Sequence, residues 1–251
     1  MTEKNIKDIS EIFGVSKSAL RYWEKKGLIS LDRNTDNDYR VYSRRSIFEL
    51  QDMLIYRSFD MPLKYIRQIN ESSVDYCKNI LSESHDNISE QISRLRTSLR
   101  YIENKMNLID EYYYLLENPY KKCEMAKVKI LPWKLTNYIL ELYSNLPHKC
   151  YYSLIFKAPY TSFSEGLILP YHFSNGDSSP IWSYDESAET THIAFLLKSL
   201  YADGNQSDIG THIENIHKQG LSTGTIICKY LTSGTENNVK YDYFKAIAEV
   251  F

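Results

Sequence analysis

Lys17, Arg21 and Lys25 stand four residues apart, with Ser18, Tyr22 and Trp23 set among them. On a helix this spacing lines the three cations up in one row. Cations in a row, with hydroxyl and phenol donors beside them, suit phosphate oxygens and the edges of bases. A solvated amphipathic surface helix carries the same pattern, so the row acquires meaning only from its surroundings. A second group of residues suggests different chemistry. Residues 120–251 hold 12 Tyr, 6 Phe and 2 Trp, and two short stretches, "SEGLIL" and "AIAEVF", set Glu165 and Glu249 beside apolar neighbours. Aromatic faces attract cations, and a carboxylate among apolar neighbours is costly unless it is paired or used. Glu249, then Glu165, are therefore the candidate carboxylates of a small-molecule site, with Tyr151, Tyr152, Tyr230, Tyr243, Phe244, Trp133 and Trp182 as its candidate walls. An outward position on an edge strand accounts equally for Glu249, and ordinary packing accounts for any single aromatic.

The remaining reactive residues restrict the function classes. Cys77, Cys123, Cys150 and Cys228 lie far apart and form no CxxC pattern, which fits reduced thiols in a cytoplasmic protein and no resident metal or cofactor. Six histidines offer bases, but none lies in a nucleophile motif such as GxSxG, so no catalytic residue is assigned. The N-terminus is charged from residue 3, unlike a signal peptide, and no apolar run is long enough to cross a bilayer. The net charge of −2 hides an asymmetry: residues 1–70 hold 13 Lys+Arg against 10 Asp+Glu. The first part is thus the one suited to a polyanion.

The elements that must position these residues divide the chain into three. Ile6, Ile9, Ile12 and Phe13 mark one face of a short helix that Gly14 ends, and Ser16 is a good N-cap for a second helix closed at Gly27. A hairpin follows, with Asn34 to Asp38 at its tip and Tyr39 to Tyr42 returning, and Ser43 caps a helix carrying Ile47, Leu50, Met53 and Leu54. Two short helices and a hairpin describe a winged helix-turn-helix, with Arg33, Arg40, Tyr42, Arg44 and Arg45 on or near the wing. Next comes a seam with alternating gaps of four and three: Leu81, His85, Ile88, Ile92, Leu95, Leu99, Ile102, Met106, Ile109, Tyr113 and Leu116. A stripe this narrow and sustained predicts a coiled-coil dimer helix, with His85 as a polar specificity position. The last region reads as strand, helix, strand, strand, twice over.

The stretch "IKDISEIFGVSKSALRYWEKKGLI", the wing strand "YRVY" and the helix "PLKYIRQI" together resemble the DNA-binding domain of the MerR family of bacterial transcription regulators. The resemblance implies DNA contacts at Lys17, Ser18, Arg21, Tyr22, Arg40, Tyr42 and Lys64. Arg44 joins them from the wing, and Trp23 either meets a phosphate or supports the wing. Asp38 and Asp60 replace glycines of the family pattern, and Asp tolerates the left-handed backbone such turns need. By the same resemblance the long helix forms an antiparallel homodimer, and the tandem β-α-β-β looks like a GyrI-like effector-binding domain for lipophilic, often cationic, compounds.

The expected protein is an α+β multidomain chain. Residues 1–72 form a winged-helix DNA-binding domain, 73–119 an antiparallel coiled-coil helix, and 120–251 a GyrI-like effector domain. Its expected partners are promoter DNA with an overlong spacer, a second copy of the chain, RNA polymerase and a small-molecule effector, with no membrane. Two alternatives stay open: a metal-sensing regulator using Cys77 and Cys123, and a GyrI-like hydrolase.

Overall fold

The structure is a computed structural model that describes residues 5–35, 37–134, 136–146, 148–174, 178–187, 189–201 and 203–251. The chain divides into two compact units, Met1–Arg96 and Thr97–Phe251.

In the first unit, α1 (Ile6–Phe13) begins at Asn5, whose side chain accepts from the Lys7 and Asp8 amides, and ends at Gly14 with φ 64°. Ser16 caps α2 (Lys17–Lys25) by accepting from the Ala19 amide. Gly27 closes the helix at φ 70°, a left-handed value that costs glycine nothing. The wing consists of β1 (Asp32–Arg33) and β2 (Arg40–Val41), joined through Asp38 at φ 57°. Ser43 then caps α3 (Arg44–Ser58), and Asp60, also left-handed at φ 58°, turns the chain into α4 (Leu63–Glu71). Both aspartates take the backbone conformation expected at the replaced glycines. Two apolar clusters hold the unit together: Ile9, Leu20, Ile29, Tyr42 and Leu50, and Leu28, Met53, Met61, Ile66 and Ile80.

Helix α5 (Val74–Glu117) runs as a single element through the point of division. Seam residues Leu81, Ile92, Leu95, Leu99, Ile102, Met106, Ile109, Tyr113 and Leu116 are exposed, Leu95 to 69%, and Ile88 is half-buried. By contrast Leu108 and Leu115, off the seam, are buried.

The second unit is built on one nine-stranded sheet. Its strands are β3 (Lys121–Cys123), β4 (Val128–Pro132), β5 (Tyr151–Phe156), β6 (Phe163–Pro170), β7 (Trp182–Ser183), β8 (Thr191–Leu200), β9 (Asp203–Ser207), β10 (Thr223–Glu236) and β11 (Val239–Val250). Helix α6 (Asn137–Asn145) follows β4, and α7 (Ile209–Lys218) precedes β10. The two strand-helix-strand-strand runs of the sequence are present. The short strands β3, β7 and β9 had no signal of their own, because two to five residues are too few for a readable alternation.

Strand order β3-β8-β11-β10-β5-β6-β4-β7 places the two runs back to back. Each run lays its third strand between its first and second, and the two second strands, β5 and β10, meet at the centre over four residue pairs, Ser153↔Lys229 to Phe156↔Ile226. β10 and β11 form a hairpin whose turn residues, Asn237 and Asn238, both have positive φ. That backbone is the type I′ turn which matches strand twist.

Register decides which residues share a face. Leu154, Leu167, Cys228, Phe244 and Ala246 lie on the face covered by α6 and α7, where Ile139 and Leu142 pack on one half and Ile209, Ile213 and Ile216 on the other. The opposite face receives α5, whose Leu108 and Leu115 pack with Ala194, Leu231 and Tyr151. Glu111 of α5 fixes this contact through two ion pairs, to Lys229 Nζ and Lys245 Nζ, both at 2.6 Å. Among the described residues no helix is long and apolar enough to cross a membrane.

Candidate functional site

Alternation along α2 sends Leu20 into the core and leaves Lys17, Ser18, Arg21 and Tyr22 exposed on one side. Trp23 is half-buried and packs against both clusters of the unit, so its neighbours are apolar. The wing presents a problem of charge: Arg33 and Arg40 are direct cross-strand partners. Like charges directly opposite are destabilising. Glu24 of α2 resolves it, taking Arg40 Nε at 2.6 Å and Arg33 at 3.2 Å on its two oxygens. The carboxylate therefore ties the wing to the second helix, a role the sequence did not reveal because the partners lie 9 and 16 residues away.

Tyr42, packed in the same unit, is buried with no partner for its hydroxyl. Burial, and secondarily the Glu24 carboxylate, push its pKa upward, so it stays a neutral donor. Arg44 is exposed at the first turn of α3, its guanidinium against the Phe48 ring, and Lys64 is exposed at the start of α4, over the Tyr65 ring.

The nine expected ligand residues divide between the two faces of the sheet. On the face of α6 and α7, Trp133 meets both Tyr143 and Tyr152 edge-on at 5.4 and 5.5 Å, Tyr152 meets Phe244 at 6.4 Å, and Phe244 meets Tyr230 at 5.7 Å. This continuous chain of rings crosses the central join from one half to the other. One carboxylate meets its middle ring and a second stands near its Tyr230 end. The Tyr152 hydroxyl donates to Glu165 at 2.5 Å, and Ser233 Oγ, itself bonded to the Tyr230 hydroxyl at 2.7 Å, donates to Asp242 at 2.6 Å. Burial first, and then the bond to Glu165, drive the Tyr152 pKa far up. Burial likewise raises Tyr230. Both phenols therefore remain donors, and the arrangement offers aromatic faces with an anionic rim, which favours a cation. Tyr143 and Asp242 were missed by the sequence reading. Asp242 had a signal, since it stands two residues from Phe244 and so on the same face of the strand.

The other four residues lie on the opposite side. Tyr151 bonds Asn104 of α5 at 2.8 Å, and Tyr243 sits edge-on to Tyr112 of α5 at 4.9 Å. Trp182 and Glu249 line a separate cavity of about 530 Å³. Glu249 there accepts the Thr225 amide at 2.8 Å, within the irregular register between Thr223 and Ile226. A Cβ on Gly224 would stand 2.6 Å from that carboxylate oxygen, so the glycine makes room for it. Part of this carboxylate thus has a backbone task.

Of the two half-exposed thiols, Cys77 donates to the Ile69 carbonyl at 3.4 Å in the first unit, and Cys123 sits in β3 of the second. Among the described residues no three His, Cys, Asp or Glu side chains are placed to hold a metal ion.

Comparison with known proteins agrees with the first unit's geometry. The family described as "MerR family regulatory protein" matches residues 5–42. The chain is 22% identical over 237 residues to the multidrug-efflux transporter 2 regulator of Bacillus subtilis, covering 86% of this chain and 84% of that one. It is 37% identical over 46 residues to the HTH-type transcriptional regulator CueR of Escherichia coli, and 33% identical over 67 residues to the HTH-type transcriptional regulator SkgA of Caulobacter vibrioides. These two matches span 34% and 26% of the relatives' lengths and 18% and 27% of this chain. The N-terminal unit accordingly carries a MerR-type helix-turn-helix.

Proposed function

We propose that this chain is a ligand-responsive transcription regulator of the MerR type, in which the row of aromatic rings in the second unit senses lipophilic or aromatic small molecules, cationic ones above all. The observation that carries the reading is the chain of rings from Tyr143 to Tyr230, with Glu165 on its middle ring and Asp242 near its Tyr230 end, in the same polypeptide as a MerR-type helix-turn-helix. The back-to-back halves support a GyrI-like arrangement, and the similarity to a multidrug-efflux transporter regulator over most of the chain supports the same ligand class. Lys17, Ser18, Arg21, Tyr22, Arg40, Arg44 and Lys64 would meet promoter DNA, while Tyr42, which the fold buries, supports them from the core together with Trp23. The exposed seam from Leu81 to Leu116 supports an antiparallel homodimer, because a stripe of this length left in water is costly.

In this reading the Glu111 ion pairs and the Leu108 and Leu115 contacts couple the ligand-binding sheet to the dimer helix. Ligand binding then deforms a promoter with an overlong spacer so that RNA polymerase engages both of its elements. Bending or untwisting DNA costs a few kcal/mol, which a ligand's differential affinity for two states supplies.

Thermal shift of the full chain against lipophilic cations and matched neutral aromatics tests the ligand. A cation at one hundred times its Kd adds about 2.7 kcal/mol to stability. Glu165→Gln is expected to remove most of the shift, and Glu249→Gln to leave it. Equal shifts for cations and neutral compounds in both proteins would sink the assignment of the aromatic row.

A further inference from the structure

Cys123, His192 and Glu249 are direct cross-strand partners on three neighbouring strands, β3, β8 and β11: Cys123↔His192 and His192↔Glu249. Direct partners in an antiparallel sheet point to the same face with Cβ atoms about 5 Å apart. All three line the cavity of about 530 Å³ described above, together with Met125, Trp182 and Tyr184. A thiol, an imidazole and a carboxylate thus stand in a row, in nucleophile-base-carboxylate order, facing a space that admits a small molecule. Neither the first unit nor the chain of aromatic rings uses this row.

The four thiols are not equivalent. Cys150 and Cys228 are buried, and Cys77 spends its hydrogen on the Ile69 carbonyl. Cys123 is the half-exposed one in a cavity with a histidine opposite. Burial raises its pKa, partly countered by the Lys245 ammonium, so the sulfur is protonated at neutral pH and needs a base to react. His192 occupies the position for that base, with its Nε2 3.4 Å from the Thr190 hydroxyl.

We propose that Cys123 is a covalent capture site for small soft electrophiles, the α,β-unsaturated carbonyl compounds, with His192 as the base. The Cys123 Sγ bonds to the β-carbon of the electrophile as its C=C π bond breaks. The sulfur's proton passes to His192 and from there to the α-carbon, so the addition is redox-neutral and needs no co-reactant. Trp182, Met125 and Tyr184 give the electrophile an apolar wall. Cys123 also packs with Leu108, Leu115 and Tyr112 of α5, so an adduct grows from the seat of that helix.

The test is timed exposure of the full chain to methyl vinyl ketone, with intact mass and peptide mapping. Cys123 is expected to carry the first adduct, with Cys77 following and Cys150 and Cys228 unmodified. In His192→Gln the rate at Cys123 should fall about a hundredfold, the lower end of general-base assistance, while the rate at Cys77 stays the same. Unmodified Cys150 and Cys228 certify that the variant is folded; if they react, the comparison is repeated with His192→Asn. First modification at Cys77 in the native chain overturns the proposal without any variant, and so does an unchanged rate at Cys123 in a folded His192 variant.

Discussion

At the scale of the residue, two side chains of the first unit have consequences that oppose simple intuition. Glu24 is an acidic group next to a surface read as DNA-binding, so its removal would be expected to strengthen binding. Because it neutralises the cross-strand pair Arg33 and Arg40, Glu24→Ala should instead weaken DNA binding severalfold and cost about 1 kcal/mol of stability after solvent screening. Fluorescence anisotropy with a promoter fragment and urea unfolding measure the two effects. Tyr42→Phe deletes a buried hydroxyl that has no partner in the chain. The free protein should therefore be unchanged or more stable, by up to about 1 kcal/mol, and DNA affinity should stay the same, because the buried hydroxyl does not reach the surface. Arg21→Ala should reduce the salt slope of log K by about one if the guanidinium meets a phosphate. The caps at Ser16 and Ser43 and the row on α2 were legible because capping and helix periodicity are local rules. Glu24, Tyr143 and the backbone task of Glu249 were not, since each depends on neighbours brought together by tertiary packing.

At the scale of the element, α5 presents two stripes with different fates. Leu108→Ala cuts into the contact with the sheet and should cost about 2–5 kcal/mol in unfolding experiments. Leu99→Asp, on the exposed seam, should leave the folded chain nearly as stable and abolish the proposed dimer in sedimentation. Glu111 adds a pH dependence. Burial pushes its carboxyl upward, but Lys229 and Lys245 together outweigh that and hold it below its ordinary value of 4.5. The depressed value means that the pairing contributes stability at pH above 4.5 and loses it as pH falls through the lower, folded value. Glu111→Gln should therefore lower the melting temperature at pH 7, and the gap from the native chain should narrow below pH 4.5. The seam was readable because a heptad pattern repeats five times. Leu108 and Leu115, only two residues and seven apart, form too short a second pattern to separate from it.

At the scale of the whole molecule, the order of elements was legible and their pairing was not. Strand-helix-strand-strand runs follow from alternation and turn residues, yet nothing local says that β5 meets β10, or that Trp133 and Tyr152 share a face with Phe244 while Trp182 and Glu249 do not. The division of the expected ligand residues between two faces follows from register alone, since one step along a strand reverses the side.

That pairing also sets an order of assembly. The β10–β11 hairpin closes around Asn237 and Asn238, a local event that takes microseconds, whereas the join from Phe156 to Ile226 brings together distant parts of the chain over only four residue pairs. The two halves should therefore form before they unite. In pulse-labelled hydrogen exchange during refolding, amides of the hairpin gain protection first and those bonding β5 to β10 gain it last. The row of aromatic rings, which spans the join, then comes into existence only at the final step, so a chain halted one step earlier would be largely folded and blind to the proposed ligand.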